Sequence, residues 1–206
     1  MAKLYFYYAA MNAGKSTTLL QADYNYRERG METMLWTAAH DDRAGIGTIG
    51  SRIALSAPAH TYDDSVNLFD AIVAELLRRK LDCILVDEAQ FLTRDHVLQL
   101  CRIADELKIP VLCYGLRTDF QASLFPGSAA LLALADALIE LKAVCECGRK
   151  ATMNLRVDAE GHAVAAGAQT EIGGNDRYIA LCRRHFFDRL KEGEARQLAL
   201  DIPRPA

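Results

Sequence analysis

Leu4-Tyr5-Phe6-Tyr7-Tyr8-Ala9-Ala10-Met11-Asn12-Ala13-Gly14-Lys15-Ser16-Thr17 opens the chain with an apolar, aromatic run, a short turn and Gly-Lys-Ser. Thr18-Leu19-Leu20-Gln21-Ala22 then reads as the first turns of a helix. Strand, tight loop, Gly-Lys-Ser and helix form the context that a P-loop requires. Its residue types follow from its chemistry. Backbone N–H groups of such a loop and of the helix N-terminus converge on phosphate oxygens. Gly14 would let the backbone approach closely, Lys15 would reach the β- and γ-phosphates, and the Ser16 hydroxyl would ligate Mg²⁺. Ala9 stands where the pattern has its first glycine. That position must therefore avoid a φ/ψ that only glycine tolerates, or carry strain. The competing reading is an ordinary strand-to-helix turn, and a partner carboxylate further along would weaken it.

That partner is Asp87-Glu88. It closes Cys83-Ile84-Leu85-Val86, a continuously apolar run as expected of a strand covered on both faces. Asp87 would hold Mg²⁺ directly or through water, and Glu88 would take the proton of an acceptor hydroxyl. The alternative, a polar strand terminus, explains the pair taken alone but not its company.

Between these motifs the pattern reads as a helix to about Arg27, a strand over residues 33–37, and a mobile loop over 38–59 carrying Gly45, Gly47 and Gly50. Ile53-Ala54-Leu55 is expected as a short strand. Arg43 and Arg52 are either phosphate clamps or solvated loop arginines. Tyr62-Asp63-Asp64-Ser65 is expected to cap a helix carrying Leu68, Phe69, Ile72, Val73, Leu76 and Leu77, ending in Arg78-Arg79-Lys80. A helix from Thr93, a strand over 110–115, a helix over 129–137 and a strand over 137–143 complete an α/β pattern with a largely parallel sheet. Residues 116–128 leave the sheet at the edge where such folds bind ligands.

A length of 206 residues suits one domain with an appendage. The net charge of −3, with no basic face, argues against binding nucleic acid by neutralising many phosphates. No apolar run approaches a membrane span, and the opening residues run straight into the first strand, so neither membrane nor signal peptide is expected. Cys83, Cys101 and Cys113 lie among apolar residues and read as core. The expected compartment is a reducing cytoplasm.

At Val144 the character changes. Cys145-x-Cys147 and Cys182-x-x-His185 supply three thiols and an imidazole, a closed set suited to tetrahedral structural Zn²⁺. The one-residue gap in the first pair is unusual, and two free thiols beside an unrelated histidine are the alternative. His40, His60, His96 and His162 lack such company and read as ordinary polar residues. The expected division is residues 1–143 as a nucleotide-binding domain, 144–190 as a zinc-held domain, and 191–206 as a loose tail.

Together, Ala-x-Met-Asn-Ala-Gly-Lys-Ser-Thr, Val-Asp-Glu-Ala-Gln-Phe, Tyr-Gly-Leu-Arg-Thr-Asp-Phe, the cysteine knuckles and Ile-Gly-Gly-Asn-Asp-Arg-Tyr resemble the type II thymidine kinases, in their bacterial branch. The resemblance covers residues 3 to about 188. It implies a RecA-like P-loop domain with a mostly parallel sheet, a small zinc-held lasso domain, and transfer of the ATP γ-phosphate to the 5′-hydroxyl of thymidine. It implies that Ala9, Ala10, Met11, Asn12, Ala13, Gly14, Lys15 and Ser16, with Asp87, Glu88, Ala89 and Gln90, hold the donor, and that Glu88 is the catalytic base. Phe120 would pack on thymine, Gln169, Thr170, Glu171, Ile172 and Gly173 would read the base through the backbone, and Tyr178 would contact the substrate. Cys145, Cys147, Cys182 and His185 match the zinc set of the bacterial branch. A homotetramer and feedback inhibition by dTTP are further implications.

A P-loop ATPase with a zinc-ribbon nucleic-acid module is the alternative function. It should show a basic or aromatic strand-binding track, and this sequence shows none. The absence of an Asn-Lys-x-Asp motif disfavours a GTPase. For the base, the glycines Gly173 and Gly174 suggest a backbone that approaches the ligand closely, with a plain flexible hinge as the competing view.

Overall fold

A computed structural model describes residues 1–165, 167 and 177–200. Its central feature is a six-stranded sheet with every pairing parallel. The strands are β1 (Leu4–Ala9), β2 (Thr33–Ala38), β5 (His60–Tyr62), β6 (Cys83–Val86), β7 (Val111–Leu116) and β8 (Ala137–Glu140), in spatial order β5-β2-β6-β7-β1-β8. One strand, β7, thus separates the Gly-Lys-Ser strand from the Asp-Glu strand. Both faces are covered, as the apolar sequences of β2, β6 and β7 require. Leu19 and Leu20 of α1 (Lys15–Glu28) bury against Leu35, Cys83, Leu85 and Leu112 on one face. On the other, Phe6, Trp36, Ile84 and Val86 pack with α2 (Leu68–Leu76), α3 (Arg94–Glu106) and α4 (Pro126–Leu134). Successive residues of β6 therefore face opposite helix layers, the period of two expected of a strand.

Several expected boundaries moved for local reasons. The mobile loop contains a hairpin, β3 (Thr48–Gly50) and β4 (Ser56–Pro58), with Ile49 buried in the α1-side core. Ile53-Ala54-Leu55 is its turn rather than a strand, with Ala54 at a φ of 62°. α2 is capped by Asn67, whose Oδ1 accepts from Asp70 N at 3.0 Å. Tyr62 belongs to β5, and Asp63 spends its carboxylate on the Ser65 amide at 2.9 Å. α2 ends at Leu76, before the Arg78-Arg79-Lys80 run, and Arg79 reaches back to Glu75 instead. α4 starts three residues early, with Pro126 as a first helical residue. Gly127 is required there, because a Cβ would lie 2.5 Å from the Ala89 carbonyl oxygen. α3 starts as expected, Thr93 and His96 forming a reciprocal cap.

The chain separates into two compact units. The first comprises residues 1–9, 14–117 and 124–141, and the second comprises 10–13, 118–123 and 142–206. In the second, the hairpin of β9 (Ala143–Val144) and β10 (Lys150–Ala151) is followed by an antiparallel pair, β11 (Met153–Arg156) and β12 (Tyr178–Leu181). Met153, Leu155, Leu181 and Phe186 make its small core beneath α5 (Arg183–Leu200). Because α5 runs to Leu200, residues 191–200 are helical where a loose tail was expected. Among the described residues no helix is long and apolar enough to cross a membrane.

Candidate functional site

Ala9 is the last paired residue of β1, opposite Leu116, so its backbone is extended and the missing first glycine leaves no strain. The left-handed positions of the loop fall instead on Asn12, at φ 66°, and Gly14, at φ 75°. Asparagine tolerates that region better than most side chains. A Cβ on Gly14 would meet no protein atom within 4 Å, so within the protein itself it is the dihedral that calls for glycine. α1 begins at Lys15 with no side-chain cap, leaving its first amides and the positive end of its dipole for an anion. Thr18 closes the first turn through its N–H and hydroxyl, which reach the Gly14 carbonyl at 2.9 and 3.0 Å.

In the first unit, Asp87 and Glu88 follow β6, and both are buried. Glu88 sits at φ 52°, ψ 34°, a left-handed conformation that costs a non-glycine residue roughly 1–3 kcal/mol. Its surroundings hold it there. The Tyr62 hydroxyl donates to the Glu88 carbonyl at 2.9 Å, and the Glu88 amide donates to Asp87 Oδ1 at 3.0 Å. One Glu88 carboxylate oxygen accepts from Arg43 and the other from Gln90. Gln90 is braced in turn, its Oε1 accepting from Leu116 N at 2.9 Å, and Arg43 is held by Asp41 at 2.6 and 2.8 Å.

The Ser16 hydroxyl hydrogen-bonds the Asp87 carboxylate, so the two groups expected to hold Mg²⁺ are neighbours. Burial, and next the Glu88 charge, push Asp87 up to about 7, against the pull of Ser16, the Glu88 amide and Lys15. Burial lowers the Lys15 pKa, while Glu88 and Asp87 oppose that drop. Arg43 is raised, chiefly by its hydrogen bond to Asp41, and remains charged. Lys15, Ser16, Asp87, Glu88 and Gln90 are thus brought together, while Ala89 begins the short turn over Ala89–Phe91. Sequence reasoning missed the Asp41–Arg43–Glu88 chain and the Tyr62 anchor. Arg43 carried a signal, since an arginine in a glycine-rich loop invites an acidic partner, but nothing in the letters pointed to Glu88.

In the second unit, one ligand atom from each of Cys145, Cys147, Cys182 and His185 lies within 4.8 Å of every other. Cys145 Sγ is 3.4 Å from His185 Nδ1, and Cys147 Sγ is 3.9 Å from Cys182 Sγ. Tetrahedral zinc with Zn–S of about 2.3 Å and Zn–N of about 2.0 Å places its ligands roughly 3.5–3.8 Å apart, so the set fits the ion. The unusual Cys-x-Cys spacing works because Cys145 N donates to the Arg149 carbonyl and Gly148, at φ 77°, turns the chain back to the Cys145 carbonyl. Hydrogen bonds outweigh burial and lower the Cys145 thiol to about 6, which suits a thiolate ligand. Cys83 and Cys113 behave oppositely. Burial pushes Cys83 up to about 12 and also raises Cys113, as in an inert core.

Phe120 is buried in the second unit, with the Arg156 guanidinium 5.1 Å from its ring centroid. Tyr178 opens β12 directly opposite Arg156. Gln169, Thr170, Glu171, Ile172 and Gly173 lie outside the described residues. Of the other histidines, His96 is buried, caps α3 and meets the Val66 carbonyl at 2.9 Å.

Comparison with known proteins adds sequence likeness to this geometry. The family model described as thymidine kinase matches residues 2–186. A thymidine kinase of Novosphingobium aromaticivorans is 71% identical over 188 residues, spanning 91% of this chain and 98% of that one. The thymidine kinase of Zymomonas mobilis is 63% identical over 190 residues, 92% of this chain and 98% of the relative. That of Salmonella typhimurium is 58% identical over 193 residues, 94% of each chain. Among solved structures, the Pif1 helicase of Candida albicans aligns over 69% of this chain and 36% of its own at a TM-score of 0.43 and 16% identity. A likeness that weak carries no functional argument.

Proposed function

The chain belongs to the thymidine kinase family, and from that premise we propose how its residues transfer the γ-phosphate of ATP to the 5′-hydroxyl of thymidine. The observation that carries the reading is the Ser16–Asp87 hydrogen bond beside Lys15 and Glu88. It joins a hydroxyl and a carboxylate able to share a divalent cation to a cation and a base suited to phosphoryl transfer.

The donor phosphates lie on the backbone of Ala9–Ser16, with Lys15 against the β- and γ-oxygens. Ser16 and Asp87 would hold Mg²⁺, which supplies charge neutralisation of the polyphosphate when bound. The 5′-hydroxyl donates to a lone pair of Glu88 left open by Arg43 and Gln90, a carboxylate having about four acceptor sites. As its oxygen attacks phosphorus in line, the proton passes to Glu88, the bond from phosphorus to the bridging oxygen breaks, and ADP leaves with that electron pair. Lys15 stabilises the charge on the departing phosphate. Products are dTMP and ADP.

Phe120 covers the thymine face, Gln169–Gly173 read its edge through the main chain, and Tyr178 fixes the closed lasso. Cys145, Cys147, Cys182 and His185 would hold zinc, which would supply the cross-link that this small unit needs. The same reading takes the enzyme to be a cytoplasmic homotetramer inhibited by dTTP, without nucleic-acid partners. ADP release from ATP, measured with each nucleoside in turn and with single-stranded DNA, tests it. Turnover that depends on thymidine supports the kinase, and turnover that depends on DNA replaces it with a motor.

A further inference from the structure

Asn154 is a polar residue where the fold has no need of one. It lies in β11 between Met153 and Leu155, pairs with Ala180 of β12, and is 2% exposed. A buried carboxamide is tolerated only if its bonds are made. Here Oδ1 accepts from Met11 N at 2.7 Å and Nδ2 donates to the Thr118 carbonyl at 2.9 Å. The partners fix the amide's orientation, because a backbone N–H can only donate and a carbonyl can only accept. A carboxamide carries its acceptor and its donor on separate atoms of one short stem, so it can bond two loops at once.

The two bonds end on loops with different duties. Met11 lies in the P-loop, immediately before Asn12 at its left-handed turn. Thr118 lies two residues before Phe120. Its loop is stiff, because Asp119 Oδ1 accepts from the amides of Gln121 and Ser123, both at 2.9 Å. A shift of the Phe120 loop therefore moves the Thr118 carbonyl as part of one body, and Asn154 passes that shift to the Met11 amide. All of these residues belong to the same compact unit.

We propose that Asn154 is a positioning residue that couples the loop for the donor phosphates to the loop carrying Phe120, so that thymidine and ATP each strengthen the binding of the other. This rests on the functional reading above. Coupling between two sites is reciprocal, so both ligands must show the same factor. Two neutral buried hydrogen bonds set its scale at about three- to tenfold.

The test is calorimetric titration of the wild-type protein with a non-hydrolysable ATP analogue and Mg²⁺, with and without thymidine, and the reverse. Each ligand should tighten the other about three- to tenfold. In Asn154→Ala the factor should fall to about one while zinc content is kept. Asn154→Asp retains the acceptor for Met11 but loses the donor to Thr118, so it should bind the analogue near-normally and also lose the coupling. A variant that lowers the melting temperature yet keeps the factor overturns the proposal, since it shows only a packing role. A second measurement needs no variant. The analogue alone should slow amide exchange over residues 118–123 of the wild type, and unchanged exchange also overturns it. Wild-type protein that fails to bind thymidine sinks the functional reading itself, whereas binding without mutual enhancement sinks only the tether.

Discussion

Glu88 occupies a backbone conformation that few carboxylate residues adopt, and four neighbours hold it there. Tyr62 takes its carbonyl, Asp87 its amide, and Arg43 and Gln90 its two carboxylate oxygens. Such over-determination holds the carboxylate in one orientation before any ligand arrives, as the proposed base requires. Glu88→Gln should keep ATP and thymidine binding but lose turnover by roughly 10²–10⁴-fold, the usual share of a positioned general base. A kcat near wild type would remove Glu88 from the mechanism. Asp87 makes a separate prediction through pH. Its folded pKa is raised from the model-compound value of 3.8 to about 7. A raised carboxylate stabilises the fold fully below its unfolded pKa, and that contribution is lost as pH rises to about 7. In ligand- and metal-free protein, Asp87→Asn should therefore raise the Tm by about 3–8 °C at pH 8 but by less than about half as much at pH 5. A Tm gain independent of pH would contradict the buried-charge account. Asp87, Glu88, Lys15 and Ser16 stood out in the sequence as candidates because a P-loop and a strand-terminal carboxylate pair support each other, and the fold brings the four together. The Tyr62 anchor, the Arg43 brace and Asn154 did not stand out, since their hydrogen bonds reach residues 26 to 143 positions away.

At the scale of elements, the strands and helices with clear apolar periodicity stood where the letters put them, β1, β2, β6, β7 and α3 above all. What slipped was decided by contacts that periodicity does not encode. The start of α4 depends on Gly127 fitting under the Ala89 carbonyl, and β5 is a three-residue edge strand whose pairing with β2 is its only mark. The zinc set was readable because thiols and an imidazole signal the ion by chemistry alone. Its element is too small to stand on its core, which is built around Leu155, Leu181 and Phe186. A structural zinc can contribute roughly 10–16 kcal/mol to such a site. Protein purified without chelator should carry one zinc per chain. Removing it should abolish amide protection over residues 144–156 and 177–188 and raise the KM for thymidine. A metal-free preparation, or Cys182→Ala with an unchanged thymidine KM, would end this account.

For the whole molecule, an all-parallel sheet with helices on both faces brings the Gly-Lys-Ser loop and the Asp-Glu pair to its carboxyl edge, one strand apart. That arrangement serves any P-loop phosphoryl transferase or motor, and the fold alone does not choose between them. Family membership does. Kinase and motor differ in where the γ-phosphoryl group ends. The decisive measurement follows γ-labelled ATP through turnover of wild-type protein with thymidine and Mg²⁺. The account predicts that label is recovered as 5′-dTMP, one per ADP formed, with negligible inorganic phosphate. Label released as inorganic phosphate in step with ADP, indifferent to thymidine and stimulated by single-stranded DNA, would contradict it.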